Sequence, residues 1–118
     1  MASILITGGA GFIGTNAALH FASRGWTVSI VDNLSRRGTE KNLVWLLEQR
    51  PEIGFHQVDI RDFEALSAVI GEQRPDMLLH LAAQVAVTTS YTNPREDFEI
   101  NALGSFNVME AVRLRAPE

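Results

Sequence analysis

An α/β fold built on a doubly wound parallel sheet is what this sequence predicts, on three observations. Short apolar runs alternate with longer stretches of helix-forming residues, giving β-α-β-α-β-α-β-α. The runs are apolar nearly throughout rather than at every second residue, which suits parallel strands covered on both faces. The first run stops in a cluster of glycines and the second in an acid, the punctuation expected at strand ends that meet a ligand.

Each element has its own justification. Ser3–Thr7 (SILIT) is a β-rich run stopped by glycines. Phe12–Ser23 carries helix formers with Ile13, Ala17 and Phe21 on one face, and Arg24-Gly25 ends it. Thr27–Val31 is the second strand. Glu40–Gln49 is a helix that turns Leu43, Leu46 and Leu47 inward. Phe55–Val58 is the third strand. Phe63–Gly71 is a helix opened by Asp62 as its cap. Met77–Leu81 (MLLHL) is the fourth strand. Asn93-Pro94 then opens a long helix, with Asn as cap, Pro in the first turn and Glu96 three residues after the cap. Glu96, Asp97 and Glu99 favour the positive end of that helix. Phe98, Asn101, Ser105, Val108 and Val112 fall at helical spacing, so the stripe is largely apolar and Asn101 is its polar exception. A buried amide there needs partners, in the structure or in a ligand.

Composition narrows the function. The chain has 118 residues, enough for one small domain, and 46% of them are hydrophobic. A net charge of −4 argues against a nucleic-acid footprint. Cysteine is absent, so there is no disulfide framework and no cysteine metal site. His20, His56 and His80 are not spaced with carboxylates as metal ligands are, and they are read as structural. Trp26 and Trp45 are read as packing residues. The first strand begins too early to leave space for a leader, and no apolar run approaches a membrane span. The expectation is a soluble, cytoplasmic protein with no membrane or nucleic-acid partner.

The glycine cluster carries the chemistry. Gly9, Gly11 and Gly14 fit G-x-G-x-x-G, while Gly8, Gly11 and Gly14 fit G-x-x-G-x-x-G. A glycine pattern alone is weak. Here a strand precedes it, a helix follows it, and Asp32 stands 18 residues after Gly14 at the end of the next strand. Glycines allow the tight turn and leave space for a pyrophosphate, whose charge then meets backbone N–H groups and the helix dipole. The bland alternative is a purely structural turn. At the second strand end, the Asp32 carboxylate can accept hydrogen bonds from the adenosine ribose and would repel a 2′-phosphate, so NAD is favoured over NADP. Arg36 can stack over the adenine or pair with a phosphate; alternatively, with Ser35, it clamps a 2′-phosphate. Arg37 is read as a solvated loop residue. Asp59 ends the third strand on the side where open α/β sheets bind ligands, although a turn or capping acid would look the same. Together these features predict the first half of a Rossmann-type domain, four strands with helices on both faces.

The blocks "ITGGAGFIG", "VDNLS", "VDIRD", "HLAAQ" and "NP…DFEINALGSFNVMEAV" resemble, in that order, the extended short-chain dehydrogenase/reductase superfamily of nucleotide-sugar epimerases and dehydratases. Within it, "DNLSRRGTEKNLVWL" and "HLAAQVAVTTSYTNPREDFEIN" are similar to the CDP-tyvelose epimerase (CDP-paratose 2-epimerase) branch. The resemblance implies roles position by position. Gly8, Gly11, Phe12, Ile13 and Gly14 would line the pyrophosphate. Asp32, Asn33, Ser35 and Arg36 would surround the adenosine ribose. Asp59 and Ile60 would hold the adenine. Leu81, Ala82, Ala83 and Gln84 would pass under the cofactor, and Asn101 would support the site from the long helix. Thr88, Thr89 and Ser90 would face the nicotinamide or sugar side.

The resemblance also implies what is missing. The superfamily's acid/base pair is Tyr-x-x-x-Lys, but the single tyrosine, Tyr91, has Arg95 at the lysine position and Pro94 before it. The 118 residues are therefore expected to be the N-terminal part of an NAD-binding domain, inactive alone, with its remainder and a substrate domain elsewhere. The implied parent is an NAD-dependent nucleotide-sugar epimerase acting by transient oxidation at sugar C2. Open alternatives are another sugar-nucleotide enzyme of the superfamily (4-epimerase, dehydratase or decarboxylase), a non-catalytic NAD(P)-binding module, or a functionless fragment. A bare fourth-strand edge would favour self-association.

Overall fold

The computed structural model describes residues 2–82 and 92–115. The elements are β1 (Ser3–Thr7), α1 (Phe12–Ser23), β2 (Thr27–Asp32), α2 (Thr39–Gln49), β3 (Gly54–Gln57), α3 (Phe63–Gln73) and β4 (Met77–His80). A long helix follows in three stretches: α4 (Pro94–Phe98), a wide-turned π segment (Glu99–Gly104) and α5 (Ser105–Arg115). The four strands form one parallel sheet in the order β3-β2-β1-β4. The chain steps outward from β1 to β3 and then returns to the other side of β1. The reversal between β1 and β4 is the switch point beyond whose strand ends such sheets bind ligands.

Two cores confirm the double winding. Ile4, Ile6, Val28 and Ile30 point to one face and pack with Ala18, Ala22 and Leu46 from α1 and α2. Leu5 and Val31 point to the other and pack with Leu66, Ile70, Val108 and Ala111 from α3 and α5. Adjacent strand residues thus feed opposite cores, which is why β1 and β2 are apolar at every position that is fully covered except Thr7 and Ser29. Each fully buried aliphatic side chain contributes about 1.5–3 kcal/mol. Among the described residues β4 pairs only with β1.

Local chemistry sets the element ends. Asp62 caps α3 by accepting from the Ala65 N–H at 3.2 Å, and Asn93 caps α4 by accepting from the Glu96 N–H at 3.2 Å. Gly25 closes the turn after α1 with φ +86°. Boundaries shift slightly from expectation: α2 starts at Thr39, β3 at Gly54, α3 runs on to Gln73, β2 includes Asp32, and β4 stops at His80.

Three packing expectations are corrected. The buried side of α1 is Gly14, Thr15, Ala18 and Ala22, whereas Ile13 is 67% exposed. Small residues let this helix lie close to the sheet. Trp26 packs edge-on to Phe21, 5.0 Å between ring centres, but Trp45 stands 44% exposed on the outer side of α2. Phe98 is 63% exposed because the π segment turns the helix out of register with residues beyond it. No helix of the described residues is long and apolar enough to cross a membrane.

Candidate functional site

A cavity of about 520 Å³ opens at the C-terminal ends of the strands, at the switch point between β1 and β4. Its first wall is the glycine turn. Gly8 sits at φ +69°, and a Cβ there would lie 2.9 Å from the Ala82 nitrogen. The turn is pinned by Gly8 N–H to Val31 O at 2.8 Å and Gly11 N–H to Gly8 O at 3.1 Å. The Thr15 hydroxyl donates to Gly11 O at 2.6 Å from inside the helix. Gly11 is the N-cap of α1 and brings no side-chain hydrogen bond, and the first turn holds no acid. The first-turn amides, which have no intrahelical partner, are left to a ligand on the cavity side.

The second wall is the end of β2. Asp32 Oδ2 accepts from the Ala10 N–H at 3.0 Å and Oδ1 accepts from the Leu34 N–H at 2.8 Å. The carboxylate is thus bolted to the glycine turn while each oxygen keeps a further lone pair. Leu34 takes a left-handed φ of 61° to make its bond. Asn33 accepts from the Ser35 N–H and donates to Asp59 Oδ2 at 3.2 Å. Ser35, Arg36 and Arg37 line the mouth, and neither arginine forms an ion pair among the described residues.

The third wall is the turn after β3. Arg61 donates to both oxygens of Asp59, with Nη2 to Oδ2 at 2.6 Å and Nε to Oδ1 at 3.0 Å. These bonds hold the Asp59 carboxyl below the usual carboxylate range against the opposing effect of burial, and Asp59 in turn raises the Arg61 pKa. Asn107, buried in α5, donates to Ile60 O at 3.0 Å and Arg61 O at 3.2 Å. Asn107→Leu keeps the volume but strips both carbonyls of their donor. We expect it to cost about 1–3 kcal/mol, read as a lower urea midpoint in the full-length protein. An unchanged midpoint would remove this tie from the account.

Thirteen sequence-predicted residues meet on this cavity: Gly8, Gly11, Phe12, Ile13, Gly14, Asp32, Asn33, Ser35, Arg36, Asp59, Ile60, Leu81 and Ala82. Asn101 does not line it; its neighbour Ile100 does, and the Asn101 carbonyl accepts from the Ser105 hydroxyl at 2.8 Å. Ala83, Gln84, Thr88, Thr89 and Ser90 lie outside the described residues. Arg37, read as a loop residue, also lines the mouth. Sequence reasoning missed Asn42, which lines the cavity and donates to Ala10 O at 2.9 Å. It missed Arg61 and Asn107 as well. The signal for Arg61 was its place two residues after Asp59; Asn42 and Asn107 carried none beyond being amides on helices.

Comparison with known proteins places the chain in a family. Residues 5–117 match the model of the family described as GDP-mannose 4,6 dehydratase. The chain is 46% identical over 110 residues to CDP-paratose 2-epimerase of Salmonella typhi, covering 93% of this chain and 32% of that protein. It is 39% identical to dTDP-glucose 4,6-dehydratase of Neisseria meningitidis serogroup B, covering 96% and 32%. Among solved structures, UDP-glucose 4-epimerase of Thermus thermophilus, in complex with NAD, superposes with a TM-score of 0.82 at 37% identity over 96% of this chain and 34% of that one. The UDP-Glc/GlcNAc 4-epimerase of Campylobacter jejuni superposes at 0.88 with 29% identity over 98% and 34%. The chain therefore spans about a third of the length of these relatives. A match that begins inside β1 and ends beyond α5 takes in every element that builds the cavity, and on that ground the chain belongs to the GDP-mannose 4,6 dehydratase family.

Proposed function

We propose that this chain is the N-terminal, NAD-binding part of a nucleotide-sugar epimerase that acts on CDP-linked sugars at C2. One observation carries the cofactor reading. The acid ending β2 is fixed to the glycine turn through the Ala10 amide, so ribose and pyrophosphate sites are built as one rigid unit. The residues fit the group. Glycines stand where a Cβ would strike the turn, the first-turn amides of α1 are uncapped, and Asp32 has lone pairs left for a diol. In this reading Gly11, Phe12 and Ile13 meet the pyrophosphate, Asp32 and Asn33 the ribose, and Ile60 packs on the adenine.

When bound, NAD supplies reversible hydride uptake, which a C2 inversion needs and which leaves no net demand for a reductant. The described residues bind and orient. The sequence holds no Tyr-x-x-x-Lys, so in this reading proton transfer at the sugar falls to residues of the full-length protein. The C2 assignment and the CDP base rest on the identity to CDP-paratose 2-epimerase. A second reading, a dehydratase or 4-epimerase of the same family, is favoured by the dTDP-glucose 4,6-dehydratase and UDP-glucose 4-epimerase relatives.

Calorimetry and product analysis on the full-length protein test this. NAD should bind more tightly than NADP, and CDP-paratose should interconvert with CDP-tyvelose without added reductant, followed by NMR of the sugar C2 proton. NADP preference would overturn the Asp32 reading. Turnover of UDP- or dTDP-hexoses at C4 in place of the CDP-sugars would move the assignment to the second reading.

A further inference from the structure

Behind the cavity, not lining it, lies a line of three polar side chains: Thr7 at the end of β1, His80 at the end of β4 and Ser105 at the start of α5. The Thr7 hydroxyl is 2.7 Å from His80 Nδ1, and His80 Nε2 is 2.9 Å from the Ser105 hydroxyl. Thr7 is fully buried, and His80 and Ser105 are half-buried.

The direction of every bond in this line can be deduced. Thr7 Oγ1 accepts from the Leu81 N–H at 3.0 Å and the Ala82 N–H at 3.2 Å, the former shared with the Thr7 carbonyl at 3.1 Å. A hydroxyl has two acceptor sites and one proton. Both acceptor sites are used, so the proton goes to His80 Nδ1. At the other end, the Ser105 hydroxyl donates to Asn101 O at 2.8 Å, which leaves it to accept from His80 Nε2–H. Both ends demand the same neutral imidazole, with its proton on Nε2. Burial acts in the same sense, pushing the His80 pKa down.

We propose that Thr7, His80 and Ser105 are positioning residues. They form a one-way hydrogen-bond relay that fixes the Leu81–Ala82 floor of the cavity against the π segment of the long helix. Leu81 and Ala82 line one side of the cavity and Ile100, within the π segment, lines another. The relay is a polar link between them: it grips the floor by two amide hydrogens and the helix by the Asn101 carbonyl. Its effect on cofactor binding rests on the NAD reading above; its existence does not.

The test uses the full-length protein with ¹⁵N-labelled histidine. Wild type should show His80 as the neutral Nε2–H tautomer. Ser105→Ala should speed amide exchange over residues 78–82 by about tenfold and weaken NAD binding by about tenfold, the scale of one hydrogen bond. Ser105→Thr, which keeps the hydroxyl, should restore both. Thr7→Val cuts the other end and should produce the same pair of losses. If Thr7→Val fails to fold, the Ser105 pair still decides. An Nδ1–H tautomer, or unchanged exchange in Ser105→Ala, overturns the relay. Faster exchange with unchanged NAD affinity overturns the positioning role. Failure of wild type to bind NAD overturns the cofactor reading and the positioning role with it, while tautomer and exchange still decide the relay.

Discussion

Gly14→Ala is expected to abolish cofactor binding, and the reason is backbone rather than side chain. A Cβ at Gly14 would run into the Gly8 carbonyl oxygen and come within 2.8 Å of Gly9 Cα. Side chains can rotate away from an added methyl group, but these atoms cannot. Gly8 is fixed by its bond to Val31 O and by the bond it accepts from Gly11. Relief therefore requires α1 to lift from the turn, which separates the first-turn amides from the site they define. Overpacking of this kind costs about 3 kcal/mol. Calorimetry on the full-length protein should show NAD affinity down by more than about a hundredfold, equivalent to about 2.7 kcal/mol. Gly25→Ala is the control. It too replaces a glycine, and one of positive φ (+86°) where Gly14 is helical, but nothing lies within 4 Å of its Cβ and it sits at the far end of α1. It should cost about 1–2 kcal/mol of stability and leave NAD affinity intact. Equal NAD affinity in Gly14→Ala and wild type would sink the assignment of this turn to the pyrophosphate.

The contrast between these glycines shows what the sequence could and could not express. The strand–turn–helix spacing was legible because it is local: a run of apolar residues, glycines, and an acid at the next strand end. The bounds of β1 and α1 follow from that alone. The inward face of α1 was legible only in part. Ala17 and Phe21 do pack against the core, but Ile13 is exposed and the helix meets the sheet through Gly14, Thr15 and Ala18, because closeness at the turn decides the contact. The long helix defeated periodicity at one end only. From Asn101 through Ser105, Val108 and Val112 the stripe stays on the covered side, but the wide turns at Glu99–Gly104 carry Phe98 off it. The buried amide is Asn107, not a residue of that stripe. The ties Asn42 to Ala10, Arg61 to Asp59 and Asn107 to Ile60 are long-range or turn-level contacts with no periodic signature.

Asp32→Asn is expected to reverse the cofactor preference, and the geometry gives it two separate effects. In wild type both carboxylate oxygens accept an amide hydrogen, from Ala10 and from Leu34, and each retains a lone pair for a ribose hydroxyl. Asparagine offers one oxygen and one NH₂ group. Whichever way it is turned, NH₂ faces an amide donor, so one of the two anchoring bonds is lost along with one ribose acceptor. Losing hydrogen bonds to a charged acceptor costs about 1.5–3 kcal/mol, so NAD affinity should fall about 10- to 100-fold. At the same time the charge that repels a 2′-phosphate is gone. Arg36 and Arg37, without ion pairs among the described residues, stand at the same mouth. NADP affinity should therefore rise in Asp32→Asn, measured by calorimetry on the full-length protein. Adding Arg36→Ala then separates the two roles open to that arginine. If Arg36 stacks on the adenine, NAD and NADP weaken together. If it reaches a phosphate, only the NADP gain disappears. An Asp32→Asn protein that still prefers NAD by the wild-type ratio would mean that the carboxylate serves the glycine turn alone, and that discrimination lies in the shape of the mouth rather than in its charge.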